Sequence, residues 1–150
     1  MAWQIKQDSL YYKNNKEIGY FLPTASQIER QIIKNGDDLI ELIGEFVVGY
    51  DEGRMPLKSL IDRLSKIVDN NANYEFSWTE SAEGELLNQN GDVIFYFVKP
   101  QSFIGKVIKN LPEVYFTSQD LLKNLSTTKK HEIKKLYNRI VKFYDKTTDD

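Results

Sequence analysis

The chain has no cysteine and only one histidine, His131. Without thiols it can form no disulfide, thiolate zinc site or iron–sulfur cluster, and it carries no thiol nucleophile. One histidine excludes two-histidine mechanisms and histidine-rich metal sites. A Ser-His-Asp triad would have to use it, yet no G-x-S-x-G elbow is present. The eight glycines are scattered and form neither a Walker sequence nor G-x-G-x-x-G, so no phosphate-cradling loop is encoded. The longest apolar runs, such as "VIFYFV" (93–98), fall far short of the roughly 18 residues that cross a bilayer. The start "MAWQIKQDSL" lacks the charged leader and apolar run of a signal peptide. These absences lead to the expectation of a cytoplasmic, non-enzymatic protein with no cofactor and no membrane partner.

What is present suits a folded domain. At 150 residues, with 41% hydrophobic and 13% aromatic content, the chain is long enough to bury a core without metal or disulfide staples. A single domain over 1–150 is the expectation, with a basic helical subregion at about 117–146. The charge is uneven. Residues 1–97 hold 9 Lys/Arg against 16 Asp/Glu, a net of −7, and residues 98–150 hold 11 against 6, a net of +5. Such asymmetry signals either a basic binding face or two halves that attract one another.

Periodicity predicts an α+β fold with an antiparallel sheet. Two aromatic-rich runs around Lys13-Asn14-Asn15-Lys16 read as an N-terminal hairpin. Thr24 and Gln27 have capping-box spacing before a helix carrying Ile28, Ile32 and Ile33. Asn35-Gly36 reads as its stop, and Asp38 with Glu41 as a second cap; one long kinked helix is the alternative. Pro56 opens a further helix whose stripe is Leu57, Leu60, Ile61, Leu64, Ile67 and Val68. Central strands are expected at 74–79, 85–88 and 92–99, the last two joined at Asn90-Gly91, and the last apolar on both faces as a central strand is. A short helix follows from Ser102 to Leu111 and stops at Pro112, with "EVYFT" as a short strand. Thr117 and Asp120 then begin a two-helix unit.

That C-terminal unit raises the question of nucleic acid. From about Thr127 to Asp145 an apolar stripe of Ile133, Leu136, Tyr137, Ile140, Val141 and Tyr144 is backed by basic side chains. "TSQDLLKNLSTTKKHEIKKL" is similar to a helix-turn-helix, whose second helix enters the major groove. Lys129, Lys130, Lys134, Lys135, Arg139 and Lys142 are the candidate nucleic-acid-binding residues. Lysines neutralise phosphate but specify little, so this face would bind largely independently of sequence and with strong salt dependence. The bland reading is a solvated helix face.

Carboxylates are the only plausible catalytic stock. Asp37, Glu41 and Glu45 fall at i, i+4 and i+8 on one helical face, a row that suits Mg²⁺ or Ca²⁺, or equally the wet side of an amphipathic helix. Tyr11, Tyr12 and Tyr20 are the candidate protein interface, since exposed tyrosines anchor such contacts. The expected function is therefore a small binding protein acting through protein–protein interaction: an inhibitor, an adaptor or an immunity-type factor. The abundance of Lys, Asn and Ile suggests an AT-rich genome, where small phage or mobile-element proteins commonly block a host machine. A nucleic-acid-binding regulator is the alternative, and a metal-dependent enzyme using Asp37, Glu41 and Glu45 is the further one.

Overall fold

A computed structural model of the chain describes residues 3–12, 15–51, 57–68, 74–124 and 138. Ten elements follow in the order β1 (Trp3–Lys6), β2 (Ser9–Tyr12), β3 (Lys16–Phe21), α1 (Gln27–Asp51), α2 (Leu57–Ile67), β4 (Thr79–Glu80), β5 (Glu85–Leu87), β6 (Val93–Phe97), α3 (Phe103–Lys109) and α4 (Leu111–Asn124). The strands form one six-stranded sheet in the order β1-β2-β3-β6-β5-β4, every pair antiparallel. The fold is α+β, and β6, apolar on both faces, is a central strand between β3 and β5.

The chain forms two compact units, residues 1–37 with 75–112 and residues 38–74 with 113–150. The first holds the whole sheet, the opening turns of α1 and all of α3. On one sheet face Trp3, Leu10, Phe21, Leu86, Phe95 and Phe97 are buried. The opening turns of α1 lie over that face. The Trp3 indole N–H donates to the Lys34 carbonyl at 3.3 Å, and the Arg30 guanidinium sits 5.1 Å from the Phe21 ring centroid. Each fully buried leucine or isoleucine side chain here contributes on the order of 1.5–3 kcal/mol by leaving water.

Capping fixes where α1 begins, and it differs from the expectation. Ser26, not Thr24, caps the helix: its Oγ accepts the Glu29 N–H at 3.2 Å while Glu29 Oε1 accepts the Ser26 N–H at 2.8 Å. The two candidate boxes overlap, and Glu29 decides between them. Its other oxygen, Oε2, accepts from Asn88 Nδ2 at 2.9 Å, which ties the helix start to the β5–β6 hairpin. The Thr24 hydroxyl instead donates to the Val93 carbonyl.

Asn35-Gly36 does not end the helix. α1 runs unbroken through its 25 residues from Gln27 to Asp51, and Asp38 and Glu41 cap nothing. Position 36 is glycine because the helix is closely approached there. A Cβ would lie 2.6 Å from Leu111 Cδ1 and 3.2 Å from Trp3 Cζ2. The β5–β6 turn is also longer than a two-residue Asn-Gly loop. Asn88 N–H donates to the Asp92 carbonyl and Gly91 N–H to the Asn88 carbonyl, which leaves a three-residue loop with Gly91 at φ +83°. A type I turn followed by a left-handed glycine is the usual build of that loop length.

Three further expectations are corrected. The strand expected at 74–79 is confined to Thr79–Glu80; Tyr74 and Trp78 are buried and Glu75 and Ser77 exposed, so the alternation is present without the ladder. "EVYFT" is helical, not a strand. Leu111, Val114, Tyr115 and Ser118 make one buried helical row, whose spacing overrides the β bias of Val-Tyr-Phe-Thr. Pro112 accordingly lies in the first turn of α4, where its missing N–H has no intrahelical partner to lose, and Thr117 falls mid-helix. α3 itself is capped by Ser102, whose Oγ accepts the Gly105 N–H.

The second unit contains the remainder of α1 together with α2, Tyr74 and most of α4. Leu39, Ile40, Leu42, Ile43, Leu60, Leu64, Val68, Val114 and Tyr115 are buried, and the Tyr74 and Tyr115 rings meet at 5.1 Å. Pro56 and the expected final helix lie outside the described residues, Asn138 excepted, which is helical. Among the described residues no helix is long and apolar enough to cross a membrane.

Candidate functional site

The sheet face opposite the buried one is assembled by register. Gly19 pairs with Phe97, Tyr20 with Tyr96 and Phe21 with Phe95. Directly opposite residues of an antiparallel pair share a face, so the burial of Gly19, Phe21, Phe95 and Phe97 turns Tyr20 and Tyr96 outward. The row continues in both directions, because Ser9 pairs with Tyr20 and Tyr96 with Glu85. Four adjacent strands thus line up Ser9, Tyr20, Tyr96 and Glu85.

Within this row the Tyr20 and Tyr96 rings stand 5.6 Å apart at 36°. The Tyr96 hydroxyl donates to Glu85 Oε2 at 3.1 Å. Glu85 Oε1 accepts from the Ser81 hydroxyl at 3.3 Å, and Ser81 Oγ accepts the Glu85 N–H at 3.1 Å. The carboxylate holds the Tyr96 phenol above its ordinary range, first through the hydrogen bond and then through its charge. Among the described residues Tyr20 at 40% and Val98 at 58% are the exposed large hydrophobic side chains. Val98 lies two residues beyond Tyr96, and its N–H donates to the Ile18 carbonyl.

The candidate interface tyrosines separate. Tyr11 shares the outer face with Tyr20: it pairs with Gln4 and Glu17, and its ring receives the Lys6 ammonium at 5.9 Å. Tyr12 pairs with Trp3 and so points to the opposite, buried side. A bulge supplies the offset, since Leu10 pairs with Gly19 and Tyr11 with Glu17, leaving Ile18 unmatched. Tyr96 and Glu85 were not among the residues singled out from the sequence. The signal that could have found them is alternation about Phe95 in "VIFYF", with Tyr96 as the single polar-tipped aromatic of that strand.

The acidic row of α1 is divided among separate tasks. Asp37 is buried and its Oδ2 accepts the Trp3 N–H at 3.1 Å, Glu41 is exposed, and Glu45 forms an exposed ion pair with Arg63. Among the described residues no three His, Cys, Asp or Glu side chains converge as a metal site would require. Lys129, Lys130, Lys134, Lys135, Arg139 and Lys142 lie outside the described residues. The first helix of the helix-turn-helix-like stretch is longer than expected, since α4 starts at Leu111. Compared with known proteins, the chain matches no family model, no curated protein and no solved structure.

Proposed function

We propose that this is a small non-enzymatic binding protein that acts through protein–protein contact, as an inhibitor, adaptor or immunity-type factor. The outer sheet face around Tyr20, Tyr96 and Val98 is the contact surface. The observation that carries this reading is the exposure of Tyr20 and Val98 beside the half-buried Tyr11, Ile18 and Tyr96. Tyrosine supplies a large contact area at low entropic cost and is enriched at interface anchors. Placing it on a hydrogen-bonded sheet holds it in position before binding, which reduces the ordering cost of association.

The test is capture of a partner from cells of the native source by the tagged chain and by the variant Tyr20→Ala/Val98→Ser. Both side chains are exposed, so the variant keeps its fold. A stoichiometric partner held by the parent and released by the variant supports the reading. Nucleic-acid binding at low salt, abolished by Lys134→Glu/Lys135→Glu while protein capture fails, replaces it with the regulator reading.

A further inference from the structure

We infer that the Tyr20–Tyr96–Glu85 row is a receptor for a guanidinium group, an arginine side chain of the partner protein. This rests on the protein-binding reading and names the chemistry of its partner. The three side chains sit in register on neighbouring strands β3, β6 and β5, so they form one short track across the outer face. At one end is a half-buried carboxylate, and at the other an exposed aromatic ring.

Among the described residues Glu85 has no counter-ion. Its carboxylate is held by the neutral hydroxyls of Ser81 and Tyr96. An ionised carboxylate offers about four acceptor positions, so these two hydroxyls leave capacity for two more donors. Such spare capacity suits the forked N–H pair of a guanidinium. The neighbouring Tyr20 and Tyr96 rings suit the rest of the same group, because a planar cation is attracted to an aromatic face within about 6 Å of its centroid. Arginine stacks and forks at once, whereas lysine offers a compact, strongly hydrated charge that can do only one of these well.

The face already holds one cation over an aromatic ring, since the Lys6 ammonium stands 5.9 Å from the Tyr11 ring centroid. The charge of the surrounding chain points the same way, with residues 1–97 at 9 Lys/Arg against 16 Asp/Glu. A phosphate backbone is disfavoured by the same observation: Glu85 would lie where an anion has to sit.

The experiment uses the full chain and a synthetic peptide of alternating arginine and glycine, with a second peptide in which citrulline replaces every arginine. Citrulline preserves shape and removes the charge. The aromatic NMR signals of Tyr20 and Tyr96 are followed during titration at low salt. The arginine peptide should shift both rings saturably and the citrulline peptide should leave them in place. Glu85→Gln should weaken the arginine peptide at least fivefold, Tyr20→Ala comparably, and Tyr20→Phe, which keeps the ring, by less than twofold. Glu85→Gln retains an acceptor for Tyr96, and the exposed Tyr20 variants guard against any loss of fold in it. Equal shifts from both peptides, or unaltered affinity in Glu85→Gln, would overturn the inference. If that happens while Tyr20→Ala/Val98→Ser still releases the captured partner, the contact face stands and only the arginine assignment falls. If the variant also retains the partner, both the contact face and the arginine assignment fall.

Discussion

Asn88 and Glu29 are 59 residues apart in sequence and joined by one buried hydrogen bond of 2.9 Å. Asn88 also organises its own turn, because its Oδ1 accepts the N–H groups of Asn90 and Asp92, both at 3.0 Å. One amide therefore closes the β5–β6 hairpin and anchors the carboxylate that caps α1. Asn88→Ala leaves a buried carboxylate oxygen and two turn N–H groups without their partner. The expected loss is about 2–4 kcal/mol, since each unsatisfied group costs roughly 1–3 kcal/mol when buried and less at the exposed turn. Urea denaturation checks it, and a loss below 1 kcal/mol would show the network to be dispensable.

Two glycines that meet different obstacles should respond differently to alanine. At Gly19 a methyl group would overlap the backbone carbonyl oxygen of Tyr96 and the Phe95 ring, inside the β3–β6 ladder. Neither obstacle can move without breaking sheet pairing, so Gly19→Ala should cost at least about 3 kcal/mol, at or beyond the upper end for overpacking. At Gly36 the nearest atoms are the two methyls of Leu111, which can rotate, and alanine recovers about 1 kcal/mol of helix propensity. Gly36→Ala should still lower the melting temperature, because the buried Leu111 methyls and Trp3 ring must shift, but by less than Gly19→Ala does. Comparable losses in the two variants would contradict the distinction.

Alkaline titration should find Tyr96 and Tyr115 ionising late. Tyr96 is raised by its bond to Glu85 and by that residue's charge, and Tyr115 by burial, reinforced by Tyr74 and Asp38. In the unfolded chain both would ionise near pH 10. Because the folded values are higher, the stability they contribute is complete below about pH 10 and is lost as pH rises through the folded values. Phenolate absorbance should show Tyr96 and Tyr115 ionising late. In Glu85→Gln the Tyr96 signal should move back toward the ordinary range while Tyr115 stays late.

Among the described residues two hydroxyls of α4 are buried without a hydrogen-bond partner, Tyr115 OH and Ser118 Oγ. Removing an unsatisfied polar atom while keeping the shape is neutral or favourable. Tyr115→Phe and Ser118→Ala should each leave stability unchanged or raise it by about 1 kcal/mol, measured by urea denaturation. A clear destabilisation in either would mean that the hydroxyl has a partner in solution.

The pair of Asn-Gly dipeptides shows what the sequence could and could not convey. At 90–91 the signal was correct because a turn is a local object: Gly91 has a left-handed φ and no neighbour within 4 Å, so backbone conformation alone calls for glycine. At 35–36 the same two letters sit inside a helix, and glycine serves a side chain from position 111 that no local window contains. The Asn90-Gly91 turn located β5 and β6, and helical spacing the α2 stripe, for the same local reason. "EVYFT" carries β-prone residue types, and its helical spacing is visible only when Leu111 and Ser118 are taken with it. For the binding face, Tyr11 and Tyr20 could be read as surface aromatics. Their union with Tyr96 and Glu85 depends on β3 pairing with β6, a long-range contact that one chain's pattern does not encode.

The Asp37 carboxylate has a further effect beyond the hydrogen bond it accepts. β1 ends the sheet, and an outer strand with unsatisfied amides invites a strand from a neighbouring molecule to join it. Here the first amide of that border is taken by Asp37, and the strand closes on the charged Lys6. Polymer growth by strand addition at that border would first have to break a bond the protein makes with itself, so self-association along the rim is discouraged while the broad side stays accessible.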